Sequence, residues 1–114
     1  MGFREEFNFD ARCEESIKIM KKYPSRIPII VEKCDKCNFQ DIDKRKYLVP
    51  KDLNITQFTF IIRKRIKLDP SQAIFLMIGD TLCPSNTTIS DVYDSNHADD
   101  GFLYVKYASE NTFG

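Results

Sequence analysis

The sequence predicts an α+β fold in which one β-sheet packs against helices. Two observations carry this prediction. Some segments place apolar residues at helical spacing, whereas others are short β-branched runs that end at turn residues. The segments follow one another as helix, two strands, helix, strand, short helix and strand, without the strict alternation that is typical of a parallel α/β sheet.

The first predicted helix covers residues 10–22, after a short amphipathic lead-in, and Asp10 can cap its N-terminus. Lysines at its end suit the negative pole of the helix dipole. Ile19 lies one turn after Glu15 and points away from the main apolar face, so this pair could line a groove. The residues that share the main face are Cys13, Ile17 and Met20.

A hairpin of two strands is predicted over residues 26–33 and 44–50, which are joined by a polar turn. Pro50 ends the second strand, and proline inside a sheet is confined to edges and strand ends. An edge strand exposes unpaired backbone groups. It is either a potential aggregation site that lysines protect, or a docking site for an extended peptide. The basic run before Tyr47 is compatible with both interpretations.

The rest of the chain supplies the other layer of the fold. Thr56 can cap a helix over residues 57–67, and strands are predicted over 73–78 and 102–107 with a short helix over 89–94 between them. A hairpin followed by a helix and further strands is the element order of a β-grasp, or ubiquitin-like, fold. The expected organisation is an N-terminal helical extension over residues 1–24, a ubiquitin-like domain over 25–108 and a flexible tail over 109–114.

The composition limits the classes of function. Hydrophobic residues make up 42% of the chain, which is enough for one globular core. The 17 basic and 17 acidic residues cancel, and zero net charge argues against a general nucleic-acid binder. The sequence contains no apolar run of membrane-spanning length and no signal-peptide pattern, so we expect a cytoplasmic protein with reduced thiols.

One cysteine pair could carry other chemistry. Cys34 and Cys37 have the spacing of a zinc or redox pair. The sequence has no second such pair and only one histidine, His97, so two thiols in a surface turn is the favoured interpretation. We therefore expect neither a metal nor a cofactor. A thiol redox or zinc protein remains an alternative that metal analysis would test.

Five segments together resemble the autophagy ubiquitin-like modifiers, the autophagy-related protein eight family that includes the GABA-receptor-associated protein and the microtubule-associated light chains. The similarity extends from about Phe3 to the last residue. It implies a ubiquitin-like β-grasp fold with two additional N-terminal helices. The matching segments are Arg26-Ile-Pro-Ile-Ile-Val-Glu-Lys33, Asp43-Lys-Arg-Lys-Tyr-Leu-Val-Pro50, Phe58 with Ile62-Arg-Lys-Arg-Ile66, Asp100-Gly-Phe-Leu-Tyr104 and Glu110-Asn-Thr-Phe-Gly114.

The resemblance implies a modifier rather than an enzyme, with no catalytic residues of its own. Gly114 would be activated by a ubiquitin-activating-type enzyme, passed to a conjugating enzyme and amide-linked to phosphatidylethanolamine. This reaction would move a soluble cytoplasmic monomer onto autophagosomal membranes. A processing and deconjugating cysteine protease would recognise Phe113. A terminal residue without a side chain suits this chemistry, because its carboxylate can enter a narrow enzyme channel.

The resemblance also implies two pockets that bind adaptor and cargo-receptor peptides with an aromatic-x-x-aliphatic motif. Alternation along the second strand of the hairpin sends Lys46 and Leu48 to one face and Tyr47 and Val49 to the other, in agreement with a pocket on each side. The first pocket, for the aromatic residue, would consist of Glu15, Ile19, Pro28, Ile30, Lys46, Leu48 and Phe102. The second, for the aliphatic residue, would consist of Tyr47, Val49, Pro50, Leu53, Phe58, Ile61 and Ile62. The cations expected to meet acidic peptide residues are Arg26, Lys44 and Arg65.

A non-conjugated trafficking or cytoskeletal tether of the same fold is the alternative function. The basic run Arg63-Lys64-Arg65 permits it, although such a run is most often a solvated helix face. Conjugation assays separate the two functions.

Overall fold

The structure is a computed structural model that describes residues 1–113, apart from the side chain of Phe113. Within that range the chain forms a five-stranded mixed sheet, four α-helices and one 3₁₀ turn. The elements are α1 (Phe3–Glu6), α2 (Phe9–Lys22), β1 (Arg26–Lys33), β2 (Lys46–Pro50), α3 (Ile55–Arg65), β3 (Phe75–Ile78), β4 (Thr81–Leu82), α4 (Ile89–Asn96), β5 (Leu103–Ala108) and the 3₁₀ turn (Glu110–Phe113).

The strands lie in the order β2-β1-β5-β3-β4, so β2 and β4 are the two edges of the sheet. β1 pairs antiparallel with β2 and parallel with β5, and β3 pairs antiparallel with both β5 and β4. The predicted hairpin and the predicted edge position of the strand that ends at Pro50 are both confirmed. The sequence does not predict β4, because its two residues are too few to show a periodic pattern.

Helices cover both faces of the sheet. α3 and α4 enclose the main core on one face, and α1 and α2 cover the other face. The main core includes Ile29, Tyr47, Phe58, Ile62, Ile89, Leu103, Val105 and Tyr107. A second cluster consists of Phe3, Ile30 and Phe102, with the half-buried Ile19 and Tyr104 packed against them.

Two helices are capped by other residues than those predicted. Asn8 rather than Asp10 caps α2, and its side-chain oxygen accepts a hydrogen bond at 2.9 Å from the backbone N–H three residues on. Asn54 caps α3 in a reciprocal capping box with Gln57, whereas the Thr56 hydroxyl donates to a carbonyl outside the helix. Each helix start has several residues that can act as caps within two or three positions, so the sequence pattern alone does not select one.

The buried face of α2 is also displaced from the predicted one. The predicted stripe includes Ile17, which is 50% exposed, whereas Ser16 is only 1% exposed. The Ser16 hydroxyl donates to the carbonyl of Asp100 at 2.5 Å, and Gly101 has no side chain that would keep the helix away. This polar contact with the turn before β5 accompanies the burial of Ser16, and hydrophobic periodicity carries no signal for it.

Buried tyrosines make the free energy of unfolding depend on pH in the alkaline range. Burial raises the pKa of Tyr47 to about 12 and that of Tyr104 to about 12, and it raises the pKa of Tyr107 as well. An unfolded tyrosine ionises near pH 10, so above that pH the unfolded chain has lost protons that the folded chain still holds. We expect the free energy of unfolding to fall as pH rises from about 10 to about 12.

Urea unfolding at a series of pH values, with tyrosinate absorbance as the second signal, checks this expectation. A free energy of unfolding that stays constant across the range, with all tyrosines ionising near pH 10, would contradict it.

Candidate functional site at the open edge of the sheet

Hydrogen bonds on either side of β2 establish which of its backbone groups are free. The Val31 N–H donates to the Arg45 carbonyl at 2.8 Å just before β2, and the Lys51 N–H donates to the Ser25 carbonyl at 3.2 Å just after it. Bonded and non-bonded pairs alternate along an antiparallel ladder. The backbone N–H and C=O groups of the odd-numbered residues of β2 therefore bond to β1, and those of the even-numbered residues point away from the sheet. The outward-facing residues are Lys46, Leu48 and Pro50.

We call residues 46–50 the open edge. The N–H and C=O groups of Lys46 and Leu48 are directed away from the sheet, where an added strand could bond to them. Pro50 has no N–H, so the row of donors ends there. The open edge therefore offers a short docking length with a defined end.

The side chains of the open edge alternate as the sequence predicts. Tyr47 and Val49 are 6% and 3% exposed and lie in the main core beside α3. Lys46 and Leu48 are half-buried and share the opposite face with Pro28 and Ile30, their neighbours on β1. A ligand along the open edge would thus have a different surface on each side.

The first predicted pocket is brought together between α2 and the hairpin. The Lys46 ammonium forms an ion pair with the Glu15 carboxylate, which ties the open edge to α2, and Ile19 lies half-buried on the same helix. Pro28, Ile30 and Phe102 are fully buried, so in this conformation they form a floor beneath the surface rather than open walls. The accessible part of this surface consists of Glu15, Ile19, Lys46 and Leu48.

The second predicted pocket also combines buried residues with a few accessible ones. Its buried members belong to the main core, and the Tyr47 ring packs edge-on against Phe58 with 5.9 Å between the ring centroids. The Tyr47 hydroxyl is buried without a hydrogen-bond partner among the described residues. The buried members are Tyr47, Val49, Phe58 and Ile62. The accessible members are Pro50, the half-buried Leu53 and Ile61, which is 40% exposed.

Each of the three predicted peptide-binding cations has a partner within the chain. Arg65 forms a bidentate pair with Asp43, at 2.8 and 3.1 Å, which lowers the pKa of the Asp43 carboxyl and raises the pKa of Arg65. The Lys44 ammonium lies 4.8 Å from the centroid of the Tyr47 ring. Arg26 donates to the carbonyl of Leu48 at 2.9 Å. The sequence contains no signal for these pairings.

The chain continues past β5 through a buried Ser109 into the 3₁₀ turn at Glu110–Phe113. The N–H of Ser109 donates to the Thr112 hydroxyl at 3.2 Å, and the N–H of Thr112 donates to the carbonyl of Ser109 at 3.1 Å. The predicted roles of the Phe113 side chain and of Gly114 fall on groups outside the described residues, so they stay predictions.

The cysteine pair lies in the loop after β1. Both are free thiols, but Cys37 is buried in the main core and Cys34 is half-buried against it, so the expected pair of thiols in a surface turn is wrong. Across residues 1–113, no three His, Cys, Asp or Glu side chains are grouped so that they could hold a metal ion. None of the described helices combines the length and the apolar character needed to cross a lipid bilayer.

A second concave surface, which is not predicted from the sequence, lies on the other side of α3. This groove, of about 360 Å³, runs between α3 and the edge formed by β3 and β4. Phe60, which is 56% exposed, and Leu82, which is 48% exposed, supply its apolar surface. It provides a comparison surface that does not include the open edge.

The chain is similar to known proteins in both sequence and structure. Residues 11–114 match the family model described as autophagy protein Atg8, ubiquitin like. The chain is 51% identical over 112 residues to autophagy-related protein 8 of Schizosaccharomyces pombe, and the match covers 98% of this chain and 93% of that protein. The crystal structure of Trypanosoma brucei ATG8 superposes with a TM-score of 0.93 at 35% identity, covering 96% of this chain and 95% of that one.

A further similar structure is that of Plasmodium falciparum Atg8 in complex with a Plasmodium falciparum Atg3 peptide. It superposes with a TM-score of 0.86 at 29% identity and covers 96% of this chain and 98% of that one. These matches and the mixed sheet confirm the predicted ubiquitin-like α+β fold.

Proposed function

The chain belongs to the Atg8 family of ubiquitin-like autophagy proteins, and from this premise we propose that it is a membrane-conjugated modifier that docks partner peptides. The proposed conjugation joins Gly114 to phosphatidylethanolamine through activating and conjugating enzymes. The segment Glu110-Asn-Thr-Phe-Gly114, which resembles the family's C-terminal motif, supports this proposal. On this account the chain is a substrate of those enzymes and supplies no catalytic residue.

The proposed docking site is the open edge. The observation that carries this proposal is the outward direction of the N–H and C=O groups of Lys46 and Leu48 on the outer side of an edge strand. Backbone bonds to an added strand would give affinity, and the surfaces on either side of the strand would select the aromatic and aliphatic side chains. The Plasmodium relative that is described with a bound peptide supports a peptide-binding role.

The first predicted pocket would then act by a small opening of the surface. Ile30 and Phe102 pack against the half-buried Ile19, and Pro28 lies opposite Leu48 on β1, so a peptide aromatic would reach these buried residues when the Lys46–Glu15 pair moves aside. The Lys46 and Glu15 side chains are both partly exposed. Partly exposed ion pairs contribute little to stability, so separating Lys46 from Glu15 costs little free energy.

The proposed partners follow from the open edge and from the C-terminal segment. Adaptors and cargo receptors would bind through aromatic-x-x-aliphatic peptides, and a cysteine protease would process or release the chain near Phe113. The proposed location is the cytoplasm before conjugation and the autophagosomal membrane after it. A non-conjugated tether, the alternative function, would use the open edge without the reaction at Gly114.

A Leu48→Ala variant should bind an acidic peptide that carries a Trp-x-x-Leu motif much more weakly than the unchanged protein. Removal of a half-buried contact at the centre of a docking site costs about 2 kcal/mol, or roughly thirtyfold in Kd. A Lys46→Ala variant should lose only a few-fold, because partly exposed charges contribute less. Isothermal titration measures both effects.

The matched control is Leu82→Ala, which removes an exposed leucine from the opposite edge strand β4. Its Kd should equal that of the unchanged protein. Equal Kd values for the Leu48→Ala variant and the unchanged protein would refute the open edge as the docking site.

A further inference from the structure

One of the outward-facing backbone groups of the open edge already accepts a hydrogen bond from within the chain. Leu48 faces outward in the register with β1, so its carbonyl is directed away from the sheet. The Arg26 guanidinium, from the first residue of β1, reaches this carbonyl and donates to it at 2.9 Å. An added strand would need the same carbonyl as the acceptor for one of its own N–H groups.

Arg26 differs from Lys46 and Arg65 in the kind of partner it holds. Lys46 and Arg65 are paired with the carboxylates of Glu15 and Asp43. In the part of the chain that the structure describes, the Arg26 guanidinium bonds only to a neutral carbonyl. A carboxylate carries the opposite charge and can accept two parallel hydrogen bonds from a guanidinium, whereas a carbonyl carries no net charge, so an incoming carboxylate can displace the Leu48 carbonyl.

We propose that Arg26 closes the open edge in the unbound protein and that an acidic residue of the peptide releases it. The carboxylate draws the guanidinium away, and the freed Leu48 carbonyl then accepts a bond from the peptide backbone. Arg26 is thus a specificity-determining residue that lowers the affinity for neutral peptides relative to acidic ones, beyond adding one favourable charge contact. This inference rests on the proposed function of the open edge.

Two alternative roles for Arg26 predict different results. A residue that only attracts acidic peptides would lower the affinity for acidic peptides when removed and leave neutral peptides unchanged. A residue that only supports the strand would lower the affinity for both. Competition for the Leu48 carbonyl predicts that its removal raises the affinity for neutral peptides.

The test compares Arg26→Ala with the unchanged protein on two peptides that share one Trp-x-x-Leu sequence. One peptide carries Asp and Glu beside the motif, and the other carries Asn and Gln in their places. We expect the variant to bind the acidic peptide more weakly and the neutral peptide about threefold more tightly, as expected when one competing surface hydrogen bond is removed.

Arg63→Ala is the matched control, because Arg63 also donates to backbone carbonyls, at 2.8 Å for Gln72, but lies on α3 away from β2. It should leave both Kd values unchanged. The inference is overturned if Arg26→Ala weakens both peptides or leaves the neutral one unchanged. An unchanged protein that binds neither peptide would instead overturn the proposed docking function.

Discussion

A Gly114→Ala variant should form no detectable conjugate with phosphatidylethanolamine. A protein produced with Gly114 as its last residue is the starting material, with activating and conjugating enzymes, ATP and liposomes that contain phosphatidylethanolamine. The reaction must pass the terminal carboxylate through narrow enzyme channels as an adenylate and a thioester. Glycine allows this because it has no Cβ and reaches backbone conformations that other residues disfavour. A shift in gel mobility and co-flotation with the liposomes measure the product.

The control is Gly79→Ala, a second glycine-to-alanine change at a position where an added Cβ meets nothing within 4 Å. Gly79 lies in the turn between β3 and β4, far along the chain from the tail, and its variant should conjugate like the unchanged protein. Conjugation of the Gly114→Ala variant at the normal rate would refute Gly114 as the reacting residue. Conjugation of neither variant nor the unchanged protein would favour the non-conjugated tether.

A Gly101→Ala variant should be strongly destabilised. Gly101 has φ +90°, a backbone conformation that side chains rarely adopt, and an added Cβ would lie 2.4 Å from the Ser16 hydroxyl and 3.1 Å from the Ser16 Cβ. Rotating the hydroxyl away relieves only the first of these contacts, so α2 itself must shift. Strain and overpacking together should lower the free energy of unfolding by about 3 kcal/mol.

Urea unfolding of three variants separates the two causes. Gly79→Ala, at φ +59° with open space around it, carries backbone strain alone and should lose about 1 kcal/mol. A Gly101→Ala, Ser16→Ala double variant should recover part of the loss, because the nearer clash is removed. Equal losses for Gly79→Ala and Gly101→Ala would contradict the close contact between α2 and the turn before β5.

The sequence predicts the open edge well because its signals are local. Pro50 marks the end of an edge strand, and the alternation from Lys46 to Val49 assigns side chains to two faces. Both predictions depend only on backbone geometry and nearest neighbours, and the structure confirms both. The assignment of residues to two pockets depends on the family resemblance instead, and it awaits the binding experiments.

Features that depend on distant parts of the chain are not predictable in the same way. Pro28, Ile30 and Phe102 are fully buried because α1 and α2 fold back over the sheet, with Phe3 packing 5.3 Å from Phe102 between ring centroids. The burial of Ser16 depends on a carbonyl 84 residues away in sequence. No periodicity within one helix encodes such a partner, so hydrophobic spacing places Ile17 on the buried face instead.

Amide hydrogen exchange on the open edge tests the central claim most directly. The Lys46 and Leu48 N–H groups face away from β1, so in the unbound protein they should exchange quickly for backbone amides within a strand. Saturation with the acidic Trp-x-x-Leu peptide should slow exchange at both amides, because an added strand would bond to them. Unchanged exchange at Lys46 and Leu48, with protection appearing instead along the groove beside Phe60 and Leu82, would contradict the account.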